Sequence, residues 1–158
     1  MPSMPAVLAA SAAGSSLLSG PLLSGFDPYV SLRSLGSGSF GEAFLARHRD
    51  QQSHLVVLKA LRVADPAQAA EASRLLRSEA NLLRTLHHPR VVRFLDLVEN
   101  HDRAFIVMTY IAGGSLTDML RTLPGSRLHA PKVARLLLDV LEALEHVHSK
   151  GVMHLDVK

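Results

Sequence analysis

A glycine-rich segment, with a lysine downstream of it, is the part of this sequence best suited to bind phosphate groups. Gly36, Gly38 and Gly41 have the spacing G-x-G-x-x-G. Because glycine has no side chain, backbone N–H groups in such a segment can approach phosphate oxygens closely. An ordinary glycine-containing hairpin would show the same pattern. A dinucleotide-binding fold would continue into a helix and then an acidic residue, whereas here a second predicted strand follows and Lys59 lies downstream.

Glu79 is a second candidate, because it falls on the apolar stripe of a predicted helix. The helix is predicted to begin at Asp65-Pro66, an N-cap acceptor followed by proline. Glu79 lies three residues after Leu76 and four before Leu83, on the side that the stripe would bury. A buried carboxylate is costly without a partner, so the stripe predicts a cation on the neighbouring sheet. A small rotation of the helix would instead leave Glu79 in water at the edge of the stripe.

Five strands and two further helices are predicted around these groups. Residue alternation, β-branched runs and turn residues predict the strands Val30–Leu35, Ala43–Ala46, Leu55–Leu58, Val91–Leu95 and Phe105–Met108. The third strand is a continuous apolar run, which is typical of a strand covered on both faces. Ser115 is a predicted N-cap, with Asp118 placed for a capping box. The last helix is predicted from Pro131 to Gly151, with one broad apolar face formed by Val133, Leu136, Leu137, Val140, Leu141, Leu144 and Val147.

Composition limits the function classes. The 158 residues suit one domain, and the 17 Lys+Arg are scattered among 14 Asp+Glu, which gives little support for nucleic-acid binding. There is no cysteine and no apolar window long enough to span a membrane, so we expect neither disulfides nor a membrane partner, and a cytoplasmic location is the default. Residues 1–28 are expected to be a flexible low-complexity leader, since Met1–Gly25 carry no charge.

From residue 29 to residue 158 the sequence resembles the catalytic domain of eukaryotic-type serine/threonine protein kinases. Val56-Val57-Leu58-Lys59 is similar to the V-A-I-K strand of the family, which implies that Lys59 contacts the α and β phosphates of ATP and pairs with Glu79. The segment 154–158, HLDVK, is similar to the catalytic loop H-R-D-L-K. This implies that Asp156 accepts the proton of the substrate hydroxyl and that Lys158 lies near the transferred phosphate.

The resemblance also implies an α+β fold with an ATP site between two lobes. Residues 29–111 would form the N-terminal lobe, an antiparallel five-stranded sheet plus one helix, and residues 112–158 would begin a helical C-terminal lobe. Met108 would be the gatekeeper beside the adenine, and the backbone of residues 109–111 would bind the base. The implied ATP-binding residues are Leu35, Gly36, Gly38, Gly41, Ala43, Val57, Lys59, Met108, Thr109, Tyr110, Ile111 and Ser115.

Two departures from the family pattern bear on activity. The family holds Mg²⁺ with an asparagine of the catalytic loop and with a D-F-G aspartate. These ligands are not among the 158 residues and would lie beyond Lys158, so we expect the 158 residues alone to be inactive and the last helix to expose apolar surface. Leu155 stands where the family usually has arginine. The alternative to an incomplete kinase is a non-catalytic ATP-binding or interaction module derived from one.

Overall fold

The computed structural model describes residues 27–38, 41–51, 53–61, 68–99, 104–155 and 157. The predicted helix start at Asp65-Pro66 and the two catalytic-loop candidates Asp156 and Lys158 lie outside these residues, as do positions 1–26 of the expected leader. Within the described part of the chain the elements are β1 (Tyr29–Gly38), β2 (Gly41–His48), β3 (Leu55–Ala60), α1 (Ala69–Leu83), β4 (Phe94–Glu99), β5 (Ala104–Thr109), α2 (Leu116–Thr122), a 3₁₀ turn (Pro124–Ser126) and α3 (Ala130–Ser149).

The five strands form one antiparallel sheet in the order β1-β2-β3-β5-β4. This confirms the predicted α+β architecture of a five-stranded sheet, one packed helix and the first helices of a second lobe. One row of paired residues crosses the whole sheet, and it runs Gly36, Ala43, Lys59, Ile106 and Leu97. The register therefore puts Lys59 in the middle of the sheet, one strand away from the glycine-rich hairpin.

The two faces of the sheet bury separate sets of side chains, because neighbouring residues of a strand point to opposite faces. Val57 and Met108 belong to the cluster on the side of α1, together with Leu76 and Leu83 of that helix. The opposite face buries Tyr29, Ala46, Val56, Leu58, Ala60, Phe105 and Val107. Five successive residues of β3, Val56 to Ala60, are thus buried, which confirms that this strand is covered on both faces.

Helix α1 packs its predicted stripe against the sheet with one exception. Leu76, Glu79, Ala80 and Leu83 are its buried residues, so Glu79 lies on the buried side and not at the edge of the stripe. Leu75, which helical spacing also assigns to the stripe, is 41% exposed. Leu75 lies roughly 100° around the helix from Leu76, at the flank of the buried face, and its side chain therefore reaches solvent.

Strand β4 begins later than the sequence predicts. Val91-Val92 were expected to open this strand, but the strand runs from Phe94 to Glu99. The Val91 N–H donates to the His88 carbonyl oxygen at 3.1 Å and closes a turn, so it is not available to the sheet ladder. The β-branched residues before Phe94 therefore belong to the connection from α1, and both are partly buried against the core cluster.

The helices after β5 follow their predicted boundaries. Ser115 caps α2, and its hydroxyl accepts from the Asp118 N–H at 3.1 Å while Asp118 accepts from the Ser115 N–H at 2.9 Å, which confirms the capping box. The predicted end of α3 is confirmed by Gly151, which has a φ of 72°. No helix of the described residues is both long and apolar enough to cross a membrane.

The C-terminal end of α3 packs into the core cluster through Val147, but most of the apolar face of this helix does not. Val147 is buried in the core cluster that contains Leu83, and Arg90 Nη2 lies 3.0 Å from Asp139 Oδ1 of the helix. The exposed apolar residues of α3 are Val133, Leu137, Leu138, Val140 and Leu141. The predicted apolar patch is therefore present on this helix.

Gly41 provides a test of how tightly β2 approaches β3. Its φ is 148°, and a Cβ atom at this position would lie 2.1 Å from the carbonyl oxygen of Ala60. We expect Gly41→Ala to lower the free energy of unfolding by about 1–3 kcal/mol, because backbone must move to remove the clash. Urea titration followed by circular dichroism measures this change.

The matched control is Gly113→Ala. Gly113 has no heavy atom within 4 Å of an added Cβ, so its substitution should leave the urea midpoint close to that of the wild-type chain. Equal midpoints for the Gly41 and Gly113 variants would contradict the close approach of the two strands.

Candidate functional site

A buried ion pair between β3 and α1 is the centre of the candidate site. Lys59 Nζ donates to Glu79 Oε1 at 2.6 Å, and the two side chains are 9% and 2% exposed. Lys59 follows the apolar residues of β3, and Glu79 lies on the apolar stripe of α1, so sheet and helix packing bring the two charges together. The cation that the stripe requires is therefore Lys59.

One oxygen of the pair remains available within the described structure. Glu79 Oε2 is buried and has no hydrogen-bond partner among the described residues. A buried carboxylate oxygen without a partner is unfavourable. The pair is therefore only partly satisfied by the residues around it, which is common where a ligand or another segment completes a site.

Apolar side chains surround the cation on the same face of the sheet. Val57 lies two residues before Lys59 and pairs directly with Met108 of β5. Leu35, Val57 and Met108 are buried in one cluster, and Ala43 and Tyr110 pack against it. The arrangement places one cation beside an apolar surface, and this is the chemistry that a ligand with a flat apolar ring and an anionic tail requires.

The glycine-rich hairpin is formed by β1 and β2, which lie beside β3 in the sheet. Gly36 has a φ of 142°, and Gly38 pairs with Gly41 at the tip of β1 and β2. Because Gly36 pairs with Ala43, and Ala43 pairs with Lys59, the hairpin is held beside the lysine by two strand registers. The predicted phosphate-binding segment and the predicted phosphate-binding cation thus lie on adjacent strands.

The chain that follows β5 contributes mostly exposed groups. The Thr109 N–H donates to the Arg93 carbonyl oxygen at 3.0 Å, so this amide is already used within the sheet. Tyr110 is half-buried, and Ile111 is exposed. Ser115 is held in the capping box of α2, where its hydroxyl and its N–H hold the pKa of Asp118 below the ordinary value. The Thr109 N–H is therefore not available to a ligand, and a ligand hydrogen bond at this residue would have to use its carbonyl oxygen.

The catalytic-loop segment is described only in part, since Asp156 and Lys158 lie outside the described residues. Leu155 has a φ of 60° and an exposed side chain. A non-glycine residue in this region of φ is uncommon and costs about 1 kcal/mol or more. Sequence analysis missed this conformation, because leucine gives no signal for positive φ.

Sequence analysis also missed two contacts between α1 and β4. Arg77 Nε forms an ion pair with Glu99 Oε1 at 2.5 Å, and the Arg84 guanidinium lies 5.1 Å from the centroid of the Phe94 ring. Bonding to Glu99 raises the pKa of Arg77. The spacing of seven residues between the two arginines indicates a shared helix face. Their partners depend on how α1 lies along β4, and the sequence pattern does not define that.

No group of three or more histidine, aspartate or glutamate side chains that could hold a metal ion is found in the described ranges. The carboxylate of Glu79 is committed to Lys59.

The comparisons with known proteins all indicate the same family. The family model described as "Protein kinase domain" matches residues 29–158. Serine/threonine-protein kinase Nek5 of Homo sapiens is 30% identical over 132 residues, covering 84% of this chain and 18% of that protein. Serine/threonine-protein kinase pkn2 of Myxococcus xanthus is 39% identical over 127 residues, covering 80% of this chain and 15% of that protein.

A solved structure shows the same arrangement. The kinase domain of Mycobacterium tuberculosis PknI superimposes with a TM-score of 0.65 at 29% identity, and the match covers 84% of this chain and 53% of that one. The chain thus spans about half of this kinase domain and less than a third of the curated relatives. The five-stranded sheet and the helices described above are the matched part of a kinase fold.

Because each buried charge of the ion pair needs the other, we expect the effects of removing the two charges on the free energy of unfolding to be non-additive. We expect Glu79→Ala to lower the free energy of unfolding by about 3–5 kcal/mol, because it leaves the Lys59 ammonium buried without a partner. The double variant Lys59→Met/Glu79→Leu should lose less than either charge removed alone, since no unpaired charge remains. Urea titration of the single variants Lys59→Met and Glu79→Leu and of the double variant measures the coupling.

Glu71→Ala is the control for this series, because Glu71 lies on the same helix and pairs with Arg74 in an exposed position. Its urea midpoint should stay near that of the wild-type chain. A double variant as unstable as the sum of its single variants would contradict the proposed coupling.

Proposed function

Because the chain belongs to the protein kinase family, with its kinase domain match over residues 29–158, we propose that it binds ATP and serves phosphoryl transfer to a serine or threonine hydroxyl of a protein. The observation that carries this proposal is the buried Lys59–Glu79 pair at 2.6 Å. In active protein kinases, the lysine of this strand and the glutamate of the following helix form an ion pair. The serine/threonine relatives and the lysine at position 158 support the choice of hydroxyl.

The proposed ATP site uses the face of the sheet that carries Lys59. The adenine would lie against Leu35, Val57 and Met108, which are buried in one cluster. The backbone of residues 109–111 would bind the base, and at Thr109 the carbonyl oxygen would do so, since the Thr109 N–H is donated to Arg93. The ribose would lie near Ser115, at the start of α2.

The phosphates would lie between the hairpin and the cation. Gly36, Gly38 and Gly41 keep side chains out of this space, and the Lys59 ammonium supplies the charge that attracts the α and β phosphates. Glu79 holds Lys59 in place from α1, so the cation does not have to be ordered when ATP arrives. ATP supplies the phosphoryl group when it is bound.

Asp156 and Lys158 are the proposed catalytic residues. Asp156 would accept the proton of the substrate hydroxyl and orient its oxygen, and Lys158 would neutralise charge on the transferred group. In this assignment residues 29–111 are the N-terminal lobe, residues 112–158 begin the C-terminal lobe, and residues 1–28 are a leader. The magnesium ligands would lie beyond Lys158. The proposal specifies the reacting hydroxyl of the protein substrate and no other feature of it.

Nucleotide binding can be tested at Lys59. We expect Lys59→Met to weaken ATP binding about tenfold or more, which is the range for losing a hydrogen bond between charged groups. Isothermal titration with ATP, with and without Mg²⁺, measures the dissociation constant. Lys132→Met is the control, because Lys132 is an exposed residue of α3 and its loss should not change ATP affinity.

We expect the 158 residues alone to bind ATP but not to transfer its γ-phosphoryl group. They contain no D-F-G sequence, and the described residues hold no metal cluster. We expect no phosphate transfer from labelled ATP and Mg²⁺ to a general protein substrate. Metal-dependent incorporation that is lost in Asp156→Asn would contradict this expectation, whereas absence of ATP binding would favour a non-nucleotide interaction module.

A further inference from the structure

Helix α1 is attached to β4 at two points outside the nucleotide site. Arg77 forms an ion pair with Glu99, and the Arg84 guanidinium packs over the Phe94 ring. Glu99 ends β4 and Phe94 begins it, while Arg77 comes before Arg84 on the helix. The helix therefore runs antiparallel to the strand, and contacts two turns apart tie one helix face to both ends of β4. We name these two contacts the β4 clamp.

The β4 clamp is connected to Lys59 through the sheet. Leu97 of β4 pairs with Ile106 of β5, and Ile106 pairs with Lys59 of β3. Strands two positions apart in a sheet are separated by roughly 10 Å. Measured across the strands, Glu99 therefore holds α1 roughly 10 Å away from Lys59. The backbone pairing between the two strands, through β5, is continuous.

Apolar packing and directed contacts restrain α1 in different ways. The buried apolar side chains of α1 hold the helix against the sheet, and the Lys59–Glu79 pair adds a directed contact with β3. The β4 clamp adds two directed contacts with a different strand. A rotation of α1 that withdraws Glu79 from Lys59 would therefore also disturb the β4 clamp.

We propose that Arg77 and Glu99, together with Arg84 and Phe94, are positioning residues that hold α1 in the orientation in which Glu79 pairs with Lys59. The inference rests on the proposed function only in taking Lys59 as the lysine that contacts ATP. Arg77 and Glu99 are 59% and 35% exposed, so their attraction is screened by salt much more than that of the buried pair. The orientation of α1 is therefore adjustable from the surface.

The test measures the accessibility of the Lys59 amine without any nucleotide. The folded chain is treated briefly with an amine-acylating reagent, and the rates at Lys59, Lys132 and Lys150 are read by peptide mass spectrometry. The last two lysines are exposed and serve as internal standards. We expect Arg77→Ala and Glu99→Ala each to raise the Lys59 rate about two- to fivefold relative to the standards, as befits an exposed ion pair.

Arg74→Ala is the matched control. Arg74 is an exposed arginine of the same helix and pairs with Glu71 on α1 itself, so its loss removes a similar ion pair without detaching α1 from β4. Its Lys59 rate should equal that of the wild-type chain. Unchanged Lys59 rates in both Arg77→Ala and Glu99→Ala, or an equal rise in Arg74→Ala, would overturn the proposal.

A charge exchange separates positioning from general loosening. The variant Arg77→Glu/Glu99→Arg keeps an ion pair with reversed polarity and should return the Lys59 rate toward that of the wild-type chain, whereas each single reversal should raise it. Failure of the exchanged pair to restore protection overturns the proposal, even if the alanine variants unfold. Titration with ATP is run separately: a wild-type chain that does not bind ATP refutes the proposed function, while the acylation rates still decide the role of the β4 clamp.

Discussion

The ion pair between Lys59 and Glu79 is the interaction on which the rest of the structure depends. Burying either charge alone would cost several kcal/mol, so β3 and α1 must approach each other closely and in one orientation. The pair is 2.6 Å long and almost completely buried. It joins the only sheet of the described residues to the helix that covers it, and it fixes the position of the single cation beside the apolar surface of Val57 and Met108.

The sheet positions the other residues of the candidate site around this contact. Its register places Gly36, Ala43 and Lys59 in one row, so the glycine-rich hairpin and the lysine keep their spacing without any direct side-chain bond. The same row continues through Ile106 to Leu97 and connects the lysine to β4. Contacts of α1 with β4 can therefore influence the pair from a distance. The proposals for phosphate binding and for the role of Arg77 and Glu99 both depend on this sheet and on the packing of α1 against it.

Sequence patterns predict this arrangement where one physical requirement dominates. Helical spacing places Glu79 on a buried face, and a buried acid requires a cation, so the need for the pair follows from local periodicity and electrostatics. The capping box of α2 is equally local, since Ser115 and Asp118 satisfy each other within one turn. The strands of the central sheet follow from apolar runs, and the family resemblance of residues 29–158 gives their order.

Other features depend on tertiary packing and escape such analysis. The residues at 91 and 92 are β-branched, yet a turn closed by the His88 carbonyl removes them from β4. Leu75 fits the stripe of α1 but lies at the flank of the buried face and is exposed. Arg77 finds Glu99 only because α1 lies antiparallel to β4, and the positive φ of Leu155 has no signature in its residue type. Local chemistry defines the site, and packing decides which surface residues control it.

In the proposed function, Lys59 is held by Glu79 and contacts the phosphates of ATP. The most direct measurement is the rate of acylation of Lys59 in the wild-type chain with and without saturating ATP, with Lys132 as the standard in the same sample. Bound phosphates should slow the reaction at Lys59 severalfold and leave the rate at Lys132 unchanged. Equal rates at Lys59 in the presence and absence of bound ATP would contradict this role of Lys59.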